Sequence, residues 1–451
     1  MRFVRLSLIA LSLIFLLAVV APRYSSPRAQ TTAPPRVVDE QSAAKQTAPA
    51  PPDASQAYKL PPDKLAKAIA ISRIRHMLTL AGSVWGIAVL WLLLATRVVA
   101  RLAAWAEARV PRQWAAGLLF FAVLLVLLTL TGLPLDMFGQ QVERSYGISI
   151  QGWGSWLGDQ GKALGLTLLF GAPVMLLFHR IVRAAPRRFW FWAWLVTLPL
   201  LVFSIFVSPL LEPLFNKYEP LAQSNPALVA ELEKVVARTG TNIPPERMFL
   251  MKASLKTNDL NAYVSGIGAT KRIVVWDTTA GRIPDDEVLF IFGHESGHFV
   301  LNHIPKQVAG AAAFLFFLYW ACAGLAVWLV RRYGAAWGAD SLASRVGFVV
   351  LLFVVSAAGF LVQPLGSAFS RHFEHEADVY GQEAIHGIVA DPQKTAVAAF
   401  NDLGSAALID PNPSPLMEFW YGTHPSIQER ANFAAHYDPW SGGGRPQFFS
   451  K

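Results

Sequence analysis

Long apolar stretches alternate along the chain with polar segments that carry most of its charge. Five stretches hold no charged residue, and each is long enough to cross a hydrocarbon core, which takes roughly 20 apolar residues. They are Met77–Thr96, Ala115–Leu133, Phe189–Leu211, Val308–Val330 and Val346–Ser370. A shorter run, Ala163–Phe178, needs helix pairing or local thinning of the bilayer to span it. Leu6–Val20 is typical of a signal peptide or a first membrane anchor, and the prolines that follow favour an uncleaved anchor.

This pattern predicts a mainly α-helical, polytopic membrane protein with about seven transmembrane helices. The composition agrees, because 53% of the residues are hydrophobic and only 15% are charged, which is too apolar for an ordinary soluble protein. The alternative is a large soluble enzyme with buried core helices. It does not account for five long runs without charge.

Polar segments divide the chain into membrane and extramembrane parts. We expect a first anchor, a flexible linker rich in Pro, Ala and Gln, membrane helices with one polar loop (134–162), and a polar domain that a second helical pair splits in two. In chain order these parts are 1–22, 23–75, 76–211, 212–307, 308–370 and 371–451. Within 212–307 the pattern predicts helices at Ala227–Thr239 and Asp285–His303 and a strand at Arg272–Trp276, with MFLMK as a second candidate strand. The two halves must meet in space to form one α+β domain.

The net charge of +9 lies largely in short loops between the apolar stretches, above all the arginine-rich loops 97–114 and 179–188. This is the positive-inside pattern of a membrane protein, so we expect no nucleic-acid partner. The chain has a single cysteine, Cys322, which can form no internal disulfide. Any metal site must therefore use His, Asp and Glu side chains.

Residues 292–303, FGHESGHFVLNH, contain three of the ten histidines. His294 and His298 are four residues apart, so on a helix they share one face and can offer two nitrogens to one tetrahedral zinc ion. Glu295 follows the first ligand, where it can act as the general base toward a water on the metal. Acidic residues just before the motif and a lysine soon after it place this helix outside the hydrocarbon core, since burying charges there is costly.

A catalytic zinc site needs a third protein ligand and an open position for water. His303 lies nine residues after His294, but the sequence lacks the spacing of a three-histidine metzincin site, so we expect His303 to be structural. Glu374 and Asp378 are four residues apart on a predicted helix. We expect Glu374 to bind the metal while Asp378 accepts the second N–H of a ligand histidine. The other polar residues of this stretch lie off that face and are expected to be solvated or paired: His372, His375 and Glu376.

Several ordered blocks give the chain a resemblance to a known family. They are EPLFNKYEPL, NAYVSG, KRIVVWDT, HESGH, FEHEADVY and THPSIQER, and the resemblance covers roughly residues 76–436. The chain resembles the type I CAAX prenyl endopeptidases, which are integral-membrane zinc gluzincins, and more distantly the HtpX-like proteases. The Pro-rich linker and His375 depart from the usual pattern of that family, but neither touches a proposed ligand.

The resemblance implies a role for each matching residue. A developing oxyanion beside a metal is stabilised by a fixed hydrogen-bond donor or a cation. In the family, a His and an Arg near the C-terminal end of the domain have that role. The implied residues are His294, His298 and Glu374 as zinc ligands, Glu295 as the base, His424 and Arg430 as catalytic residues beside the tetrahedral intermediate, and Asn261 and Ala262 against the substrate backbone. A split zincin-type catalytic domain and a ring of seven helices around a large water-filled chamber are implied as well.

The predicted function is a membrane-embedded zinc metalloendopeptidase that hydrolyses peptide bonds of membrane-associated or lipidated (CAAX-type) substrates through a zinc-bound water. We expect one zinc ion per chain, a peptide or membrane-protein substrate, a surrounding lipid bilayer and a monomeric state. One alternative is a non-proteolytic scaffold or quality-control binder that keeps the fold, which the complete motif disfavours. Another is a transporter, which the lack of charged groups within the spans disfavours.

Arginine bias predicts which side of the membrane holds the site. Loops 97–114, 179–188 and 331–345 contain eleven arginines and two acidic residues, whereas the loop 134–162 and the polar domain share the other side. Arginine in short loops marks the cytoplasm, so we expect an exterior or periplasmic catalytic face. Basic residues of the linker, and the cytosolic catalytic domain of the eukaryotic proteins that the chain resembles, favour the opposite, cytoplasmic placement.

Overall fold

The computed structural model describes residues 56–266, 268–441 and 443–449. Within these ranges, six helical stretches are long and apolar enough to cross a membrane. They are Pro62–Ala95, Gln113–Ser145, Trp153–Ala184, Phe189–Leu214, His303–Trp337 and Arg345–Ile385. Each overlaps one of the predicted spans, which confirms the prediction of a polytopic helical protein. The remaining predicted span, Leu6–Val20, lies outside the described residues.

The first membrane part is built from consecutive helices with short connections. In chain order they are α1 (Pro62–Ala95), α2 (Val98–Arg109), α3 (Gln113–Ser145), α4 (Trp153–Leu166), α5 (Ala172–Ala184) and α6 (Phe189–Leu211). A π-helical stretch, Thr167–Gly171, joins α4 to α5 without a break. The short apolar run predicted in this region is therefore part of a longer helix, and it does not need a thinner bilayer.

Two helices run farther than the hydrophobic pattern predicts. α1 begins at Pro62, inside the predicted linker, and α3 continues to Ser145, inside the predicted loop. The added turns are polar and bind each other, since Arg75 pairs with Glu143 through two bonds of 2.8 Å. The same guanidinium donates to the carbonyl O of Ala407 at 2.9 Å, which ties both helices to the C-terminal half of the chain.

A small sheet with several helices forms the domain outside the membrane part. Its elements before the second helical pair are β1 (Tyr218–Pro220), α7 (Leu221–Ser224), α8 (Pro226–Thr239), β2 (Met248–Met251), β3 (Ala262–Ser265), β4 (Arg272–Trp276), α9 (Asp277–Ala280) and α10 (Asp285–Val300). The strand order is β1-β2-β4-β3, with β2 and β4 parallel and the other two pairs antiparallel. Both predicted strands are confirmed, as β4 and β2, and β3 is an edge strand.

The second helical pair connects the two halves of this domain. After α10 come α11 (His303–Trp337), α12 (Arg345–Ile385), α13 (Pro392–Ala406), α14 (Pro415–Tyr421) and α15 (Ile427–His436). The helix predicted to end at His303 ends earlier, because Asn302 adopts a left-handed conformation (φ 57°, ψ 39°) and His303 begins the next helix. α12 is 41 residues long, so it runs from the membrane part directly into the C-terminal half of the domain.

Alternation along β4 builds two apolar layers. Ile273 and Val275 face a core that they share with α8, α10, α13 and α15. Val274 and Trp276 pack on the opposite face of the sheet against Met251. Successive side chains of a strand point to opposite faces, so a strand buried on both faces is apolar throughout. The first layer holds α10, which carries the histidine motif, against the sheet beside β3.

Candidate active site

Two glycines let α10 and α12 cross at close range. A Cβ atom on Gly381 would lie 2.7 Å from the backbone N of His294, and one on Gly293 would lie 3.0 Å from the carbonyl O of Gly381. Because both contacts are with the backbone of a packed helix, neither position has room for a side chain. The crossing therefore brings the histidines of α10 opposite the carboxylates of α12.

Three side chains converge at this crossing: His294, His298 and Glu374. The Nε2 atoms of the two histidines are 3.2 Å apart, and they lie 3.4 and 3.7 Å from the two carboxylate oxygens of Glu374. One ligand atom of each residue lies within 4.8 Å of the other two, so the cluster could hold one metal ion. The structure thus brings together the three residues predicted as metal ligands.

Both imidazoles direct Nε2 into the cluster because their Nδ1 atoms are already bonded. His294 Nδ1 lies 2.8 Å from Asp378 Oδ1, the contact expected from the four-residue spacing of Glu374 and Asp378. His298 Nδ1 lies 3.0 Å from His303 Nδ1. Two bare ring nitrogens and a carboxylate at this range repel one another unless a proton or a metal ion lies between them.

The donor set fits a divalent metal ion. Burial disfavours a charged His294, but hydrogen bonds to Asp378 and Glu374 outweigh burial and raise the pKa of His294 to about 10. Burial and the charge of His294 lower the pKa of His298 to about 3, so positive charge on both rings at once is disfavoured. A metal ion meets the same need, and two imidazoles with one carboxylate are the ligands of a common class of catalytic zinc site.

Glu295 lies next to this cluster, on the side of α10 that faces β3. Burial raises the pKa of Glu295 to about 7, with a further rise from Glu374 and opposing effects from His294 and from a hydrogen bond to the backbone of Val264. A carboxylate with a pKa near neutrality can both accept a proton and return it at physiological pH. Burial thus favours the protonated form of Glu295, the predicted general base.

The two late residues, His424 and Arg430, reach the site in different ways. Ser426 caps α15 and forms a capping box with the glutamate three residues on, so the THPSIQER block begins this helix. His424 lies just before the cap and places Nε2 3.1 Å from Glu374 Oε2, with 46% of its side chain exposed. Arg430 lies within α15 and pairs with Asp378 through Nε–Oδ2 (2.8 Å) and Nη2–Oδ1 (2.6 Å).

Asn261 and Ala262 lie where β3 begins. The Asn261 N–H donates to the hydroxyl of Thr279 at 2.8 Å, and the Asn261 carbonyl accepts from the same hydroxyl at 2.8 Å. Ala262 is buried and pairs with Val275 of β4. These bonds occupy the backbone of Asn261, which leaves its side chain, rather than its backbone, for contact with a substrate.

A buried carboxylate anchors β3 to the end of α6. Glu212 Oε2 accepts hydrogen bonds from Tyr218 (3.0 Å), Tyr263 (2.9 Å) and Arg272 (2.6 Å). Arg272 also donates to Ser265 Oγ at 3.0 Å, at the far end of β3. Hydrogen bonds thus fix β3, the strand beside Glu295, at its middle and at its end. They come from Glu212, at the end of the membrane helix α6, and from its partner Arg272.

Two residues that were not expected to support the predicted metal ligands, His303 and Glu376, form a chain of contacts that begins at His298. His303, expected to be structural, is fully buried against His298, and its Nε2 lies 3.1 Å from Glu376 Oε2. The signal that could have found them is Asn302, because asparagine tolerates the left-handed conformation that ends one helix and begins another. The contact itself depends on the direction of α11 after that turn, which no local spacing reveals.

Comparisons with known proteins identify the family of the chain. Residues 222–438 match the family described as "Peptidase family M48". Residues 40–217 match the family described as "CAAX prenyl protease N-terminal, five membrane helices". The first match contains the histidine motif, Glu374 and the THPSIQER block, and the second contains the described helices α1 to α6.

Similar proteins extend over most of the chain. "Uncharacterized metalloprotease YhfN" from Bacillus subtilis is 33% identical over 384 residues, which covers 84% of this chain and 88% of that protein. "CAAX prenyl protease 1 homolog" from Dictyostelium discoideum is 26% identical and covers 71% and 74%. The crystal structure of S. mikatae Ste24p shares the fold, with a TM-score of 0.70 over 83% of this chain and 92% of that one at 23% identity. The chain therefore belongs to peptidase family M48, and it is a metalloprotease of the membrane with a CAAX prenyl protease N-terminal domain.

Proposed function

We propose that this metalloprotease uses zinc and cleaves peptide bonds in membrane-associated or lipidated proteins. The observation that carries the proposal is the convergence of His294, His298 and Glu374 on one point beside Glu295. Two imidazoles and one carboxylate leave a tetrahedral position open, as a catalytic site requires. We expect one zinc ion per chain.

The proposed mechanism gives the acid–base work to Glu295. Zinc bound by the three ligands would supply a Lewis acid that polarises the scissile carbonyl and lowers the pKa of water to about 7. Glu295 would accept the proton of the attacking water and return it to the leaving amine, and burial supports this exchange because it raises the pKa of the Glu295 carboxyl. Asp378 keeps His294 in the tautomer and orientation that point Nε2 at the ligand cluster.

Two residues of the late block would act on the tetrahedral intermediate. His424 Nε2 lies at the edge of the ligand cluster, and Arg430 brings a positive charge to the same side of α12. Fixed donors and cations aimed at a developing oxyanion stabilise the transition state more than the ground state. We therefore assign His424 as a donor to the oxyanion and Arg430 as its electrostatic support.

The edge strand β3 suggests how a peptide is held. One edge of β3 pairs with β4, and the backbone N–H of Val264 donates to the carboxylate of Glu295 beside the site. A substrate that adds to this strand in an extended conformation is recognised mainly through its main chain, which tolerates many sequences. The Asn261 side chain would contact the substrate backbone where β3 begins, whereas Ala262, which is buried, would support the strand. We infer broad peptide specificity, limited by access to the membrane surface, and not restricted to prenylated C-termini.

Two substitutions test the metal site and the base separately. Purified Glu295→Gln should keep stoichiometric zinc but lose peptide hydrolysis by about 10²–10⁴-fold, since only the general base is removed. Glu374→Ala should lose zinc. His436→Asn, at an exposed position at the end of α15, is the matched control and should behave like the parent. Hydrolysis by Glu295→Gln at the parental rate would refute the mechanism, and stoichiometric zinc in Glu374→Ala would move the third ligand elsewhere.

Substrate breadth can be tested by trapping. Cells that express Glu295→Gln should accumulate several different membrane proteins bound to the variant, because the site binds peptides without cleaving them. Proteomic analysis of the purified variant measures this set. Recovery of a single prenylated peptide would contradict broad specificity while leaving the metal site intact.

We also propose that the catalytic face lies on the exterior side of the membrane. The catalytic half binds the ends of α1 and α3 through Arg75, and Lys256 pairs with Asp159 at 2.6 Å in the middle of α4. The arginine-rich loops close the opposite ends of the membrane helices, where Arg97 donates to two carbonyl groups at the end of α11. Since arginine in short loops marks the cytoplasm, the site would face away from it.

A further inference from the structure

We propose that His303 and Glu376 form a positioning relay that orients the metal ligand His298. The relay consists of His298 Nδ1 to His303 Nδ1 at 3.0 Å and His303 Nε2 to Glu376 Oε2 at 3.1 Å. It rests on the proposed function in one respect, which is that His298 binds a metal ion. It adds two residues to the site that neither the HESGH motif nor the Glu374–Asp378 spacing contains.

Hydrogen-bond chemistry fixes the direction of the relay. An ionised carboxylate can only accept, so the proton between His303 and Glu376 belongs to His303 Nε2. A neutral imidazole carries one N–H, which makes His303 Nδ1 an acceptor. His298 Nδ1 must then donate to it, and His298 Nε2 is left as a bare lone pair that points at Glu374 and His294. This is the tautomer that a metal ligand needs.

The backbone shows how the relay is built. Asn302 turns the chain through a left-handed conformation, and His303 comes back under His298 as the first residue of α11. The His303 ring is fully buried and lies on the ring of Phe373 at a centroid distance of 4.6 Å. A ring held on one face by an aromatic side chain, and at both nitrogens by hydrogen bonds, has little freedom to rotate.

With the relay, each of the two histidine ligands has a hydrogen-bond partner at its Nδ1 atom. Asp378 holds His294, and Arg430 neutralises the charge of Asp378. In the same way, His303 holds His298 and donates its other N–H to Glu376. Both carboxylates belong to α12, the helix that also supplies Glu374. α12 thus positions all three ligands, one directly and two through their Nδ1 atoms.

Zinc affinity tests the relay without reference to catalysis. The full-length protein is purified in detergent, and the zinc Kd is measured by competition with a chelator of known affinity. Glu376→Ala removes the final acceptor, and because its side chain is 23% exposed the variant should fold. We expect the Kd to rise about 10-fold or more, within the 10- to 100-fold range typical of outer partners of metal ligands. His303→Leu, which removes the acceptor for His298, should raise it at least as much.

Two variants separate positioning from packing. Glu376→Gln keeps an oxygen that can accept from His303 Nε2–H, so its zinc Kd should stay within about threefold of the parent. His375→Asn changes a histidine on the same helix whose ring packs on Phe433 instead, and it should leave the Kd unchanged. The melting temperature of the metal-free protein should be the same in Glu376→Ala and Glu376→Gln.

Each result decides the matter. A parental zinc Kd in both Glu376→Ala and His303→Leu would overturn the relay while leaving the metal site standing. An equal loss of affinity in Glu376→Gln and Glu376→Ala would also overturn it, because acceptance by the side chain would then be irrelevant. If the parent protein bound no zinc at all, the proposed function itself would fail, and that result is visible before any variant is made.

Discussion

Arg430 and Asp378 form a two-point ion pair that uses both oxygens of the carboxylate, with Nε–Oδ2 at 2.8 Å and Nη2–Oδ1 at 2.6 Å. Oδ1 also lies 2.8 Å from His294 Nδ1, so one carboxylate serves a cation and a proposed metal ligand at once. The Arg430 guanidinium is further held over the ring of Phe400, 4.7 Å from its centroid. Arg430 therefore fixes the position of Asp378 beside His294, and it also supplies positive charge.

The first prediction separates these two contributions of Arg430. Arg430→Lys keeps the charge but loses the planar fork that grips both oxygens. We expect kcat/KM at saturating zinc to fall at least about tenfold, because Asp378 no longer holds His294 in one orientation. Steady-state kinetics on a quenched peptide measures this. Arg247→Lys, at an exposed position, is the control, and full activity of Arg430→Lys would show that charge alone suffices.

Spacing along a helix made much of this site predictable. His294 and His298, and likewise Glu374 and Asp378, are four residues apart, and a helix converts that spacing into a shared face without further information. The spacing does not predict that the histidine face of α10 packs against the carboxylate face of α12. The crossing at Gly293 and Gly381, which aligns the two pairs, depends on a tertiary contact between helices far apart in the chain.

Two features that sequence reasoning did not predict, the contact of His303 with His298 and the extra turns of α1 and α3, share a physical cause. His303 was separated from the motif by its spacing, but a single left-handed residue, Asn302, reverses the chain and returns it to His298. α1 and α3 continue past their apolar runs because an ion pair, Arg75–Glu143, stabilises polar turns that hydrophobicity does not detect. Both features depend on partners distant in sequence, to which local periodicity is blind.

The second prediction concerns the crossing itself. A Cβ on Gly381 would lie 2.7 Å from His294 N, so Gly381→Ala must push α10 and α12 apart. Overpacking of this kind costs about 1–3 kcal/mol and displaces the ligands. We expect zinc content to fall well below one per chain and the melting temperature to drop by several degrees. Gly366→Ala in the same helix, where a Cβ meets nothing within 4 Å, should change neither quantity. Stoichiometric zinc in Gly381→Ala would mean that the helices can separate without cost to the site.

The third prediction is a pH dependence of stability that comes from Glu287. Burial, with the nearby charge of Asp402, raises the pKa of Glu287 from 4.5 to about 8. A folded-state pKa above the unfolded one means that the folded protein binds more protons between about pH 4.5 and 8. The stabilisation from the protonated group is complete below about pH 4.5, and it is lost as the pH rises through about 8. Glu287 thus destabilises the protein on the alkaline side.

Glu287→Gln should remove this dependence. The amide keeps a donor toward Asp402 at every pH, so no buried charge develops. We expect the melting temperature at pH 8.5 to rise by at least about 2 °C over the parent, with little change at pH 5. Thermal unfolding in detergent at both pH values measures the difference. Glu233→Gln, on the exposed side of α8, is the control, and an equal shift at both pH values would rule out titration of Glu287 as the cause.

The fourth prediction concerns the side of the membrane that the site faces. The catalytic half lies with the ends of α1 and α3, and the arginine-rich loops lie at the other ends of the membrane helices. If arginine in short loops sets the orientation, an alkaline phosphatase fused after Lys451 should be active, because that enzyme matures only outside the cytoplasm. A fluorescent reporter that folds only in the cytoplasm should stay dark at the same position.

A matched fusion makes the orientation test two-sided. The same two reporters inserted after Gly338, between α11 and α12, should give the opposite pattern, because one membrane helix separates that loop from each half of the catalytic domain. Reversing charges in a short loop should weaken the bias, so Arg187→Glu with Arg188→Glu is expected to lower phosphatase activity at Lys451. Bright fluorescence at Lys451 with active phosphatase at Gly338 would place the metal site in the cytoplasm. In that case the basic residues near the start of α1, such as Lys64 and Lys67, would outweigh the short loops in setting the topology.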